Sequence, residues 1–392
     1  MLWLGGYAIL ERPNVGFVTT IDQHVHVVGR RNQGNTVLIS APQLATDIVR
    51  GTVDTQTGKI TLDGAPKELN LLRTAAELSL MHALSIGFPV GGFDIATLND
   101  PAFAYRKVGA DGKKLSKSGM GSSAAVTVAT VGAVMELFEE GAFTTDVHKI
   151  SQMAHAHATK KVGSGFDIAA ANYGSITYTR FSEQFVRRLP DEGYTKDDVE
   201  KLVNEDWDYR VTPLTLPSFL HPVVANFVGE SANTASLVGV VNRFKGEEPN
   251  DYGKLIVDLN AESQKAIDAL KRMRGSEDLD ALQTFQEAFD AGRALSKQLW
   301  LRSKVHIKDD DPPEVKLGHI EPDDVTELIE RSRKAGAFVA KSPGAGGKDS
   351  LAALCRTEED ATRLREMWRG ERGLEVLNVT PQRRGLSVSR ST

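Results

Sequence analysis

The sequence predicts an α+β chain of two lobes, and three observations carry that reading. Its 392 residues are too many for one small core, since domains commonly run to roughly 100–200 residues. The N-terminal third reads as short strands that give way to helices. From Ala337 onward, a strand, a glycine loop, a second strand, a helix and two closing strands follow one another as in a small α+β lobe.

The elements follow in order. Gly16 to Ile21, His24 to Val28 and Thr36 to Ser40 are short, rich in Val, Ile and Thr, and separated by Asn, Gln and Gly, which predicts strands. Asp54 to Gly58 is a turn. Leu72, Ala75, Ala76, Leu80, Ala83 and Leu84 keep helical spacing, so a helix is expected over Leu69 to Ile86, stopped by Gly87 and Pro89. Phe93 to Leu98 alternates as a strand, and the polar, glycine-containing stretch Asn99 to Lys117 is expected as a loop leading into a site. Val126 to Phe138 carries two apolar rows, which marks a helix buried on two faces. Another helix is expected over Thr145 to Lys160, and a strand over Ser175 to Phe181. Asn250 to Arg302 has helical composition and reads as two helices around Gly275. Pro213, Pro217 and Pro222 cluster between Tyr194 and Pro222, which places the lobe boundary there, with lobes of 1–210 and 211–392.

Composition removes several classes of function. Hydrophobic residues make up 41% and charged residues 25%, and no run of about 20 apolar residues is present, so membrane spanning is not expected. The 47 Lys and Arg nearly balance the 52 Asp and Glu, a formal net charge of −5, which gives no reason to expect a nucleic-acid partner. Any phosphate must therefore be held locally. Cys355 is the lone cysteine, which excludes an intramolecular disulfide and a cysteine-based zinc site, and with no basic and apolar leader pattern the cytoplasm is expected.

Three glycine-bearing segments carry the chemistry. In the first, Lys117-Ser118-Gly119-Met120-Gly121-Ser122-Ser123-Ala124 runs directly into the buried helix. Gly119 and Gly121 can bare backbone amides, and the helix N-terminus adds unpaired donors and a positive dipole end, a combination suited to a polyphosphate. Ser122 and Ser123 offer hydroxyls to a phosphate or a magnesium ion, and Lys117 offers a point charge. The same small residues would also serve a tight helix-packing turn. No Gly-Lys-Ser/Thr follows a four-residue spacer, so this is not a Walker A loop.

The second segment is Lys161-Val162-Gly163-Ser164-Gly165-Phe166-Asp167. Its glycines permit close approach of a ligand, and Asp167 can either address a substrate hydroxyl or cap the alanine-rich turn after it. Upstream, His155 and His157 lie two residues apart on a helix and point in different directions, which argues against a shared metal. The third segment, Ser342-Pro343-Gly344-Ala345-Gly346-Gly347-Lys348-Asp349, can close its amides over a ligand or form a simple hairpin.

Taken together, these segments resemble the three motifs of the galactokinase, homoserine kinase, mevalonate kinase and phosphomevalonate kinase superfamily. Gly119 to Ala124 is similar to its Gly-Leu-Gly-Ser-Ser-Ala loop, with Met120 for Leu. Lys161 to Asp167, followed by Tyr173-Gly174-Ser175, resembles the phosphomevalonate kinases, especially the fungal and archaeal type, and Gly346-Gly347 with Asp349 resembles their third motif. The resemblance implies a two-lobed small-molecule kinase fold with its site between an N-terminal lobe and a ferredoxin-like C-terminal lobe. It further implies ATP and Mg2+ as cofactors and mevalonate 5-phosphate as acceptor. In these terms Met120 to Ala124, with Gly119, hold ATP, and Ser122 holds magnesium. Lys117 faces the transferring group, and Lys161 with Asp167 serves the acceptor phosphate. Ser164, Gly346, Gly347 and Asp349 belong to the substrate side, and His155 either faces phosphate or packs. Mevalonate kinase, diphosphomevalonate decarboxylase or a non-catalytic relative are the alternatives. Leu4-Gly5-Gly6-Tyr7-Ala8-Ile9-Leu10-Glu11 is similar to the first motif, with Gly6 in place of Glu; relatives carry a substrate-binding lysine just upstream. Either that lysine precedes Met1, or another base, His24 or Arg106, takes its part.

Overall fold

The structure, a computed structural model, describes residues 1–390 other than 45–46, 65, 104–105, 109–113, 117–119, 140–142 and 229–233. Short strands open the chain: β1 (Leu2–Leu4), β2 (Gly16–Val18), β3 (Thr20–Ile21), β4 (Val25–Arg31), β5 (Thr36–Ser40), β6 (Val49–Val53) and β7 (Ile60–Leu62). In β5, Val37 and Ile39 are buried between partly exposed neighbours, the two-residue period of a half-buried strand. Next come α1 (Asn70–Ser85), β8 (Phe93–Asn99), β9 (Arg106–Val108), β10 (Lys114–Ser116), α2 (Ser122–Phe138), α3 (Thr144–Thr159) and α4 (Phe166–Tyr173). This half closes with β11 (Ile176–Thr179), α5 (Gln184–Arg187), α6 (Lys196–Asn204) and β12 (Arg210–Pro213). The stretch after Asn99, expected as a loop, contains the antiparallel β9–β10 pair. Three-residue polar strands leave too little alternation to be read from sequence.

The remainder contributes β13 (His221–Phe227), α7 (Thr234–Glu247), α8 (Pro249–Arg272), α9 (Leu279–Ser303), α10 (Pro313–Lys316), α11 (Asp323–Lys334), β14 (Ala337–Lys341), β15 (Ser350–Cys355), α12 (Glu358–Arg369), β16 (Leu374–Leu377) and β17 (Pro381–Gln382). The break between α8 and α9 spans Gly275, the residue around which the charged segment is expected to divide into two helices. No helix of the described residues is long and apolar enough to cross a membrane.

Two N-terminal sheets, ordered β4-β8-β5-β6-β7 and β1-β2-β11-β12, stand apart from a C-terminal sheet ordered β14-β15-β13-β16. With α11 and α12 as crossovers, the last sheet has the antiparallel β-α-β-β-α-β order of a ferredoxin-like lobe. Helix α2 is buried on two faces, as its apolar rows require. Val128, Val131 and Met135 pack into the core shared with α1 and α3, whereas Val134 and Phe138 join the core under the five-stranded sheet. The two halves meet around β1: Trp3 and Leu4 pack with Phe285 and Phe289 of α9 and with Val339 and Leu354 of the C-terminal sheet. Fully burying such side chains contributes about 1.5–3 kcal/mol each, so the junction is an apolar core rather than a hinge of polar contacts. The tail returns across it. β17 pairs with β3, the Leu386 amide donates to the Asn172 carbonyl at 3.2 Å, and Arg390 pairs with Glu136 of α2 at 2.7 Å.

Candidate active site

A cleft of about 2290 Å³ lies between the halves, lined by the 3₁₀ turn after β1, the start of α2, the loop before α4, the Pro343–Ala345 segment and the tail. Two helix N-termini meet in it. Gly121 is the N-cap of α2 with φ of 81°, and Gly165 is the N-cap of α4 with φ of 72°. A left-handed residue is needed at both positions, and glycine takes it without strain. Among the described residues no side chain caps either helix. In α2 the first helical bond runs from Ala125 N–H to the Gly121 carbonyl at 3.1 Å, so the amides of Ser122, Ser123 and Ala124 precede it. Two such ends, each carrying a partial positive charge, make the cleft attractive to anions.

The loop before α4 is held from beneath by three side chains. Arg180 donates to the Gly163 carbonyl at 2.9 Å, Tyr178 to the Ser164 carbonyl at 3.2 Å and Gln152 to the Gly165 carbonyl at 2.8 Å. A trans peptide points its N–H opposite its C=O, so the amides of Ser164, Gly165 and Phe166 face away from those three side chains. A β-carbon on Gly165 would stand 2.4 Å from Gln152 Oε1, so any larger residue there has to displace that side chain. Arg180 is 5% exposed and also donates to the Leu10 carbonyl at 2.5 Å, tying the first and second motifs together. Sequence inspection missed Arg180, Tyr178 and Gln152, which belong to none of the three motifs: Tyr178 lies in β11, Arg180 just after it and Gln152 in α3.

Asp167 sits in the first turn of α4, two residues past the N-cap, and lines the cleft. Its Oδ1 accepts the Ile168 amide at 2.9 Å, so it both steadies the helix start and faces the cavity. The cap itself is Gly165, not Asp167. Burial pulls the amino group of Met1 down to about 5, and the Asp167 charge opposes that shift. Lys161 is exposed at the cleft, and its ammonium has no hydrogen bond or ion pair to a described residue. His155 lines the cleft with a buried Nε2 that has no partner among the described residues, whereas His157 bonds the Asp191 carbonyl at 3.0 Å and packs edge-on to Tyr194. The two histidines diverge, as their spacing predicts.

Other residues singled out in the sequence are distributed unevenly. Ser164, Met120, Gly121 and Asp349 line the cleft. Ser122 and Ser123, half-buried in the first turn of α2, and the buried Ala124 stand behind that lining. Gly346 and Gly347 turn away from it: the Gly347 amide donates to the Ile320 carbonyl at 2.7 Å, and a β-carbon on Gly346 would lie 2.1 Å from that same oxygen. Their glycines serve the approach to Ile320, while Pro343, Gly344 and Ala345 face the cavity. Tyr7 donates to the Ala345 carbonyl at 3.1 Å, joining the first motif to the third. Beneath this loop, Arg293 forms a two-point ion pair with Glu321 at 2.7 and 2.8 Å. Lys117 and Gly119 lie outside the described residues, as does the side chain of Arg106.

Comparisons with known proteins agree with this geometry. Residues 70–175 match the GHMP kinases N terminal domain and residues 316–373 the GHMP kinases C terminal domain. A phosphomevalonate kinase of Saccharolobus solfataricus is 30% identical over 74% of this chain and 72% of its own length. One from Candida albicans is 27% identical over 89% of this chain and 86% of the relative. Among solved structures, Streptococcus pneumoniae phosphomevalonate kinase in complex with phosphomevalonate and AMPPNP has the same fold, with a TM-score of 0.71 at 19% identity over 97% of both chains.

Proposed function

The chain belongs to the phosphomevalonate kinases of the GHMP kinase superfamily, and from that premise we propose that it transfers the γ-phosphoryl group of ATP to mevalonate 5-phosphate. A phosphate oxygen of the acceptor forms a bond to the γ-phosphorus, the bond from that phosphorus to the β–γ bridging oxygen breaks, and mevalonate diphosphate and ADP leave. The observation that carries this reading is the meeting of two glycine-capped helix N-termini beside Asp167. Phosphoryl transfer needs two polyanions side by side, with positioning and charge neutralisation doing most of the catalysis.

The start of α2 takes the ATP phosphates through its unpaired amides, with Lys117 supplying a charge at the transferring group. The amides of Ser164, Gly165 and Phe166, together with Lys161, take the acceptor phosphate, and His155 Nε2 is a further partner on that side. An acceptor whose second pKa is about 6 is already largely deprotonated at neutral pH, so no strong base is required. Asp167 instead orients the reacting oxygen. The hydroxyl of Ser122 and the carboxylate of Asp167 are oxygen donors suited to a hard divalent cation. Bound there, Mg2+ would supply charge neutralisation on the polyphosphate.

An ADP-release screen against mevalonate, mevalonate 5-phosphate and mevalonate diphosphate tests the assignment. Turnover with mevalonate 5-phosphate alone supports it. Turnover with mevalonate, or with the diphosphate accompanied by carbon dioxide, transfers the chain to another branch of the superfamily.

A further inference from the structure

Outside the phosphate-binding loops, among the described residues one group of side chains has the composition and spacing of a metal site: His24, His26 and Asp100. His26 lies in β4 and His24 immediately before it, two residues apart and hence on one face of the strand. Asp100 directly follows β8, whose register sets Asn99 against Val25 and so brings Asp100 opposite His24. The backbone locks this arrangement: the His24 amide donates to Asp100 Oδ2 at 2.8 Å, and the Asp100 amide donates to the His24 carbonyl at 2.9 Å. One atom from each of the three side chains lies within 4.8 Å of the others.

We propose that this cluster binds a borderline transition-metal ion of the Zn2+ type through His24, His26 and Asp100. Both imidazoles converge on one carboxylate, His24 Nδ1 at 3.3 Å from Oδ2 and His26 Nε2 at 3.2 Å from Oδ1. Around a tetrahedral zinc with bonds of about 2.0–2.2 Å, neighbouring donor atoms lie about 3.4 Å apart, so small rotations of these side chains bring the donors onto one ion. The imidazoles are 57% and 53% exposed and free to make that adjustment. Two imidazole donors select zinc, cobalt or nickel over magnesium and calcium, which prefer all-oxygen sites. The site is therefore separate in chemistry from the magnesium that accompanies ATP. His24 and His26 line the rim of the cleft, so the fourth coordination position is open to water or to an anion entering it.

Calorimetric titration of the full chain with zinc chloride, in the absence of nucleotide and with Mg2+ in excess, tests the proposal. One saturable zinc per chain is expected, with affinity at least about 10-fold lower in His26→Gln and site binding lost in the His24→Gln/His26→Gln double variant; circular dichroism verifies that each variant is folded. Cobalt substitution should give the visible bands of a tetrahedral or five-coordinate ion in the wild type and not in the double variant. Absence of saturable binding, or binding of unchanged affinity and stoichiometry in the folded double variant, overturns the proposal and leaves the cluster as an ion-paired histidine–aspartate group.

Discussion

Gly121 and Asp167 face one another where two helix starts converge: a β-carbon on Gly121 would stand 3.9 Å from that of Asp167. Asp167→Asn preserves size and the bond to the Ile168 amide while removing charge. Turnover is expected to fall on the order of 100-fold or more, since misplacing reacting groups commonly costs that much. Nucleotide affinity should change little. Steady-state kinetics and a nucleotide titration separate the two quantities, and turnover within about threefold of wild type would return Asp167 to a helix-start role alone.

The two capping glycines should differ in what they tolerate. Gly121→Ala adds left-handed strain, about 1–2 kcal/mol, with no contact closer than the ordinary one of 3.9 Å to the Asp167 β-carbon. Gly165→Ala adds the same strain and drives a methyl into Gln152, 2.4 Å away. Thermal or urea unfolding should therefore show the Gly165 variant less stable by at least about 1–3 kcal/mol more than the Gly121 variant, the usual range for overpacking. Equal losses would mean that Gln152 moves aside freely.

Arg180 holds the loop from outside the lining of the cleft. Replacing it with Met leaves the Gly163 and Leu10 carbonyls short of a donor, which costs about 1–3 kcal/mol for each buried group so orphaned. The expected readout is a KM for mevalonate 5-phosphate raised roughly 10-fold, at 1.4 kcal/mol per decade, with the KM for ATP little changed. Parallel rises in both constants would indicate a general loosening instead.

Beneath the third loop, the Glu321 carboxyl is raised by desolvation but lowered more by the Arg293 guanidinium, and the balance leaves it below the ordinary value of 4.5. A carboxylate with a depressed folded value contributes stability above about pH 4.5, which is lost as pH falls through the folded value. Unfolding free energy of the wild type should therefore drop more steeply below that pH than that of Glu321→Gln. At pH 7 the variant should be less stable by about 3 kcal/mol, since it leaves Arg293 with Glu330 as its remaining carboxylate partner. Parallel acid profiles for the two proteins would show that the pair adds nothing.

Local signals read well from sequence and long-range ones did not. Apolar spacing placed α1 within a residue at each end, because burial of one face leaves its period in the residues themselves, and a short run rich in Val, Ile and Thr placed β5 at Thr36–Ser40. A backbone conformation closed to other residues was legible at Gly121, whereas Gly165 read only as permitting close approach of a ligand and not as the left-handed cap of α4. The tail was not legible. Its pairing of β17 with β3 joins polar segments at opposite ends of the chain, with no period to mark them. Gly346 and Gly347 announced a tight approach, but the residue approached, Ile320, is set by tertiary packing. The convergence of His24, His26 and Asp100 likewise depends on the register of β4 against β8.

The most direct measurement is phosphorus NMR of mevalonate 5-phosphate incubated with the chain, ATP and Mg2+. The account predicts loss of the phosphomonoester resonance and growth of the two coupled resonances of a diphosphate ester, in step with ADP. An unchanged monoester resonance, while the same preparation phosphorylates mevalonate or consumes mevalonate diphosphate, would contradict it.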